Sequence, residues 1–370
     1  MAIARAQKGR RSMLTNNPNV NDDALLEDPH YYLFDTVPET GETRFLITNE
    51  RELAATTFAD IRFEKSARDE LRVNTEGLVN LVHQTPKARP EVGFVFHHAF
   101  VCSTLLARSL NEIPAFFSLK EPWILRRLAD IKRQHAGTIP AEHWRLIVSA
   151  YVDLLAKQYK SGDSVVIKAT NVAHNLLWDV FWLWPERPVL YMHSDVRAFL
   201  VTNLKKNRET QQKMPLLLTD FVKDTDIRSR FGVIDLPQNR SLLQTCALIW
   251  AANIYTLKCA AEKYGPTRLR CLDMDTYLQS PEATMRSVSR LFGHEPNEHD
   301  MLRMTSKDIM GRNAKDQHLR YDSATKAGED ERVLAARRDE IEAVVEWIDP
   351  LVRELELYEF LRDHALSLQN

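Results

Sequence analysis

Ser103 and Thr104 stand side by side where the apolar run "VGFVFHH" (92–98) gives way to a helical pattern. A pair of hydroxyls there, beside the unpaired N–H groups and positive dipole end of a starting helix, forms a cradle for phosphate or sulfate. Phosphate-binding loops carry glycines that let the backbone wrap the anion and a lysine that offsets its charge. "HHAFVCST" (97–104) has neither; by spacing, His97 takes the place of the first glycine and Cys102 that of the second. The same residues also fit a plain strand-to-helix junction.

Three groups have the chemistry to move a proton nearby. Glu121 follows the apolar "FFSLK" (116–120) and precedes Pro122. It therefore falls at the C-terminal end of a strand, where open parallel sheets bind ligands. A carboxylate there can accept the proton of an attacking hydroxyl, or simply favour the helix start that Pro122 opens. His174 and His98 are alternative bases, and a histidine at a helix start also serves as a structural hydrogen-bonder. His97 and His98 alternate along a strand, so one of them faces inward. Lys168 ends the strand "SVVIKA" (164–169). It cannot stay buried unpaired, so it should reach out at the sheet edge, where an anion's oxygen would sit.

The elements that must position these residues follow from periodicity. Short apolar runs at 92–98, 116–120, 164–169, 188–193 and 269–274 alternate with longer amphipathic segments, which predicts βα units on a parallel sheet. Residues 241–265 read as a long apolar helix stopped by Gly265. Residues 1–88 read as an N-terminal extension holding a β-hairpin around "PETGE", with 50–85 mixed and helix-leaning. A core then spans 89–300, and 301–370 forms a basic loop with two C-terminal helices that break near Asp349–Pro350 and cover the core. At 370 residues, 44% hydrophobic and 27% charged, the chain has ordinary globular composition. Its net charge of −2 provides no overall field for nucleic acid or anionic lipid. Four scattered cysteines argue against a disulfide framework or structural zinc. No apolar run reaches membrane-spanning length and the N-terminus lacks an apolar signal core, so a cytoplasmic location is expected.

Four segments, in order, resemble the sulfotransferase family. The family's first loop reads like P-K-S-G-T-T, and the matching run here is Ala99 to Thr104, with Phe100 at the lysine and Cys102 at the glycine. "SLKEPWIL" (118–125) is similar to the Glu-Pro segment after the first helix of many bacterial members. "VVIKATNVAHNLLWDVFWLWPERPVLYMHSDVRAFLVTN" (165–203) looks like strand, K-T-P-x-H, helix, strand, R-D-P-R and helix. Lys168 and His174 fall near the family's lysine and histidine, Ser194 and Arg197 over the two arginines, and Thr202 on the serine that touches the 3′-phosphate. "LRCLDMDTYLQSPEATMRSVSRLFG" (269–293) is similar to the late D-P-E-x-T and F-L-G pattern, which speaks to fold.

The resemblance implies a three-layer α/β fold, a P-loop nucleotide-fold variant of the sulfotransferase type. It implies transfer of a sulfuryl group from 3′-phosphoadenosine 5′-phosphosulfate to a hydroxyl or amine on a small molecule or glycan, without a metal. His98, Cys102, Ser103, Thr104, Ser194, Arg197 and Thr202 would hold the co-substrate. Arg312 and Lys315 would fold over its 3′-phosphate, while Lys205 and Lys206 read as a solvated face. Lys168 would offset charge on the bridging oxygen, with Glu121, His174 or His98 as the base. The alternatives are a non-catalytic member that binds a nucleotide or anion, and a nucleotide-dependent phosphotransferase.

Overall fold

The computed structural model describes residues 14, 21–67, 69–85, 90–135, 137–159, 162, 164–311 and 323–368. Among the described residues eight strands are formed: β1 (Tyr31–Val37), β2 (Glu42–Ile47), β3 (Asp69–Asn74), β4 (Glu91–His97), β5 (Phe116–Lys120), β6 (Ser164–Lys168), β7 (Val189–His193) and β8 (Leu269–Asp273). The last five make one sheet in the order β5-β6-β4-β7-β8, and every neighbouring pair is parallel. The sequence places these five strands within about a residue of their observed bounds, because strands covered on both faces read as unbroken apolar runs.

β4 is central and its side chains alternate between two cores. Phe94 and Phe96 join the larger cluster with the helices Ala141–Leu155 and Leu242–Tyr264, whereas Val95 joins Leu106, Met285 and Phe292 on the other face. The result is a three-layer α/β body. Helix Leu242–Tyr264 begins with a Ser241–Gln244 capping box and ends at Gly265 in the left-handed conformation (φ 58°). It is buried nearly all round, which is why its sequence is apolar without a polar face.

The N-terminal part keeps the expected hairpin, β1 against β2, and extends it. β3 adds a third antiparallel strand beside β2, formed from the stretch that leans helical in sequence. Only Leu71 and Val73 point inward along it, so its period-two signal is two residues long. This small sheet is fastened to the α/β body by polar contacts. Asp35 accepts from the Arg127 guanidinium at 2.8 and 3.2 Å, and the Tyr151 hydroxyl meets Thr43 at 2.6 Å. The Ala59 N–H donates to the Lys120 carbonyl at 2.6 Å, which brings the 58–62 segment to the C-terminal edge of the parallel sheet.

The C-terminal helices also divide elsewhere than expected. Helix Ser323–Glu354 runs through Pro350, bends at Arg337, and gives way at Glu356 (φ 52°) to Leu357–Asp363. Ile348, Leu351 and Val352 are buried on either side of the proline, so packing holds a turn that lacks one backbone donor. No helix among the described residues is long and apolar enough to cross a membrane.

Gly93 lies in β4 under the Phe292 ring, and a Cβ there would collide with that ring. Gly93→Ala should therefore cost about 1–3 kcal/mol through overpacking of a site that cannot give way. A urea-denaturation midpoint unchanged from wild type would contradict this packing.

Candidate functional site

Three non-glycine residues at the C-terminal edge of the sheet are held in the left-handed region. They are Phe100 (φ 70°) and Cys102 (φ 59°) after β4, and Glu121 (φ 55°) after β5. Such a conformation costs an L-residue roughly 1–2 kcal/mol, so it persists only where its surroundings impose it. Cys102 thus has a glycine's backbone without the glycine. It leads into helix Ser103–Leu110, which no side chain caps. The first bond inside that helix runs from the Leu106 N–H to the Cys102 carbonyl at 3.1 Å, which leaves the Ser103, Thr104 and Leu105 amides outside the intrahelical ladder.

These residues line a cleft of about 570 Å³. Ser103, Thr104, Glu121 and Thr202 share it with Lys205 and Lys206, two lysines just past helix Val196–Leu204. Cys102 lines it as well. Five of the residues expected at the site therefore converge on one space: Cys102, Ser103, Thr104, Glu121 and Thr202.

Lys168 does not reach the cleft. It is fully buried, and its ammonium lies 2.5 Å from Glu121 Oε1. The expected outward reach fails because Glu121 comes inward to meet it: the Glu121 N–H donates to the Lys168 carbonyl at 2.8 Å, and the left-handed turn folds the carboxylate back over β6. The carboxylate itself is 16% exposed and lines the cleft. Its Oε2 has no protein partner among the described residues.

The three histidines near the edge are buried and neutral. Burial pushes His98 down to about 4 and His174 down to about 3. Nε2 of His98 accepts the Ser194 N–H at 2.9 Å while Nδ1 faces the Ala99 carbonyl at 3.1 Å. Nδ1 of His174 donates to the Asn171 carbonyl at 2.7 Å and Nε2 meets the Tyr191 hydroxyl at 3.2 Å. Both rings hold loops together and neither lines the cleft. His97 does line it, 4.0 Å from Glu121 Oε1. Burial and then the Lys168 charge hold its ring well below the usual range.

Two further residues expected at the 3′-phosphate lie elsewhere. Ser194 is buried, and its carbonyl accepts the Trp250 indole N–H at 2.9 Å. Arg197 makes a bidentate pair with Glu342 at 2.7 and 2.6 Å and does not line the cleft. A partner 145 residues away in sequence draws it from the site. Arg312 and Lys315 lie outside the described residues.

Sequence reasoning missed most of the site's positive charge. Lys205 and Lys206 line the cleft rather than a solvated face, because helix Val196–Leu204 ends over it. The Lys206 ammonium lies 4.2 Å from the Phe100 ring centroid, over the loop residue that resembles the family's lysine position. Lys205 and Lys326 both pair with Asp330, at 2.5 and 2.6 Å. Despite the opposing effect of burial, those two hydrogen bonds hold the Asp330 carboxyl below the usual range. Lys213 joins the lining, as do Phe58 and Arg62 from the N-terminal part. The doubled lysine one helix beyond "SDVR" is the only sequence signal for any of them.

No protein-family model and no curated protein matches this sequence. Among solved structures the chain is similar to the sulfotransferase domain from the curacin biosynthetic pathway, with a TM-score of 0.40, 12% identity, and 67% of this chain and 98% of that one covered. It is also similar to the sulfotransferase domain from a Synechococcus olefin synthase, at TM-score 0.36 and 10% identity, covering 68% of this chain and 96% of that one. A sulfotransferase from Alicyclobacillus acidocaldarius gives TM-score 0.36 and 14% identity over 73% of this chain and 97% of that one.

The buried pair makes a prediction of its own. Glu121→Gln removes the carboxylate charge 2.5 Å from the buried Lys168 ammonium and should destabilise the protein by about 3–5 kcal/mol. Adding Lys168→Met removes the stranded charge and should recover most of that loss. Equal stability of the Glu121→Gln single and the double variant in denaturant titrations would show that the two groups are not coupled.

Proposed function

We propose that this cleft binds 3′-phosphoadenosine 5′-phosphosulfate and directs transfer of its sulfuryl group to a hydroxyl or amine acceptor. The observation that carries the reading is the Glu121 carboxylate, anchored through one oxygen by Lys168 and lining the same cleft as an uncapped, left-handed loop. A sulfuryl donor demands both features: a cradle for the fixed anion and a base beside the incoming nucleophile.

The Ser103 and Thr104 hydroxyls and the amides that open their helix would hold the 5′-phosphosulfate. Lys206, reaching over Phe100, would supply the charge that the loop itself lacks, and Thr202 would bind the 3′-phosphate. Glu121 Oε2 takes the acceptor's proton as the acceptor oxygen or nitrogen bonds to sulfur. The bond from sulfur to the 5′-phosphate oxygen breaks, and its electron pair leaves with adenosine 3′,5′-bisphosphate. Lys206 and the cradle amides would stabilise the charge that gathers on that oxygen. Lys168 acts through Glu121 as a positioning residue, which reverses the more direct part expected of it.

The test separates binding from transfer. Glu121→Gln with Lys168→Met should bind adenosine 3′,5′-bisphosphate like wild type, yet lose turnover of the phosphosulfate by about 10²–10⁴-fold. Lys206→Gln should weaken bisphosphate binding by about 1.5–3 kcal/mol, the worth of a charge-assisted hydrogen bond. Binding in calorimetry that does not distinguish adenosine 3′,5′-bisphosphate from AMP would remove the 3′-phosphate from the reading. Full turnover in the double variant would remove Glu121 as the base.

A further inference from the structure

Asn253 sits in the middle of the apolar helix Leu242–Tyr264, 1% exposed, and lines the cleft one helical turn beyond Ile249. Among the described residues neither its Nδ2 nor its Oδ1 has a hydrogen-bond partner. Of the buried polar side chains left unpaired among the described residues, it alone lines the cleft. The helices packed against its own add apolar residues to the cleft wall, Met214 and Leu217 from helix Met214–Phe221 and Phe199 from helix Val196–Leu204. Asparagine is a poor residue for a helix interior, and a buried amide with both ends unsatisfied is a standing cost to the fold. Leucine has nearly the same shape and would remove that cost. A cost kept at the wall of a cleft points to a ligand that repays it.

We propose that Asn253 is a specificity-determining residue that reads a neutral hydrogen-bonding edge on the molecule filling the cleft. The carboxamide presents a donor beside an acceptor, so its complement is an acceptor beside a donor on a flat, otherwise apolar body. An adenine edge has this character, and asparagine pairs with adenine in this bidentate manner. An aromatic amide carried by the acceptor has it too. The cationic residues at Lys205 and Lys206 would address the charged part of the bound molecules, leaving Asn253 to address the uncharged part. A site built to pair with such an edge rejects analogues that lack it, because they strand its polar groups. The inference rests on the proposed donor only for the choice of one probe.

The experiment compares wild type with Asn253→Leu in two measurements. The first is the melting temperature without ligand, which should rise in Asn253→Leu because a buried, unpaired amide has been removed. A fall would mean that the amide is satisfied within the protein, and would overturn the proposal. The second is calorimetric titration with adenosine 3′,5′-bisphosphate, with benzamide and with inorganic pyrophosphate. Asn253→Leu should lose about tenfold or more in affinity for a probe bearing the amide-like edge, the worth of one to two hydrogen bonds, with pyrophosphate binding unchanged. Loss for the bisphosphate assigns the edge to the donor's base, and loss for benzamide alone assigns it to the acceptor. Wild type that binds benzamide but neither phosphate probe would sink the nucleotide reading and leave Asn253 supported. Equal affinity of both proteins for every probe, or no binding of either edge-bearing probe to wild type, overturns the proposal.

Discussion

A lysine with no solvent exposure at the end of β6 is the constraint around which the site is organised. An ammonium in that position demands a counter-charge, and the only way to deliver one is to bend the chain after β5 back toward β6. Glu121 does so in a left-handed conformation that its side chain disfavours. The strain and the ion pair are thus two sides of one arrangement. Its consequence is a carboxylate with one oxygen fixed on a lysine, carried by a residue that lines the cleft.

The same edge shows how a phosphate-type loop can lose its usual residues and keep its shape. Cys102 retains the positive φ of a glycine, and the helix after it starts without a side-chain cap. The charge is divided from the loop: Lys205 and Lys206 reach it from the end of the helix after β7, and Lys326 joins from the C-terminal helix through Asp330. The N-terminal part completes the rim with Phe58 and Arg62. Three stretches far apart in sequence therefore meet at one sheet edge, and the segment between β2 and β3 has a place in the site beyond packing.

How much of this was legible in the sequence follows from which signals are local. The five parallel strands, the long apolar helix and the hydroxyl pair after β4 each announce themselves within one continuous stretch of sequence. Glu121 was legible because it ends an apolar run. β3 was not, since two inward residues do not make a period. The fates of Lys168 and Arg197 were hidden for another reason: each is decided by a carboxylate that only the tertiary fold brings near, Glu121 in one case and Glu342 in the other. His98 and His174 read as bases from their type and place, but burial and two hydrogen-bond partners each make them struts. Asn253 was invisible because an asparagine in an apolar helix carries no pattern until the fold sets it, buried, at the wall of the cleft.

The left-handed loop after β4 reads as an anion cradle with the Glu121 carboxylate beside it. A crystal structure with adenosine 3′,5′-bisphosphate tests it most directly. The 5′-phosphate should lie within hydrogen-bonding distance of the Ser103 and Thr104 hydroxyls and of the amides that open their helix, with the Lys206 ammonium on the same oxygens. A nucleotide bound elsewhere, or a cleft left vacant at saturating nucleotide, would contradict it.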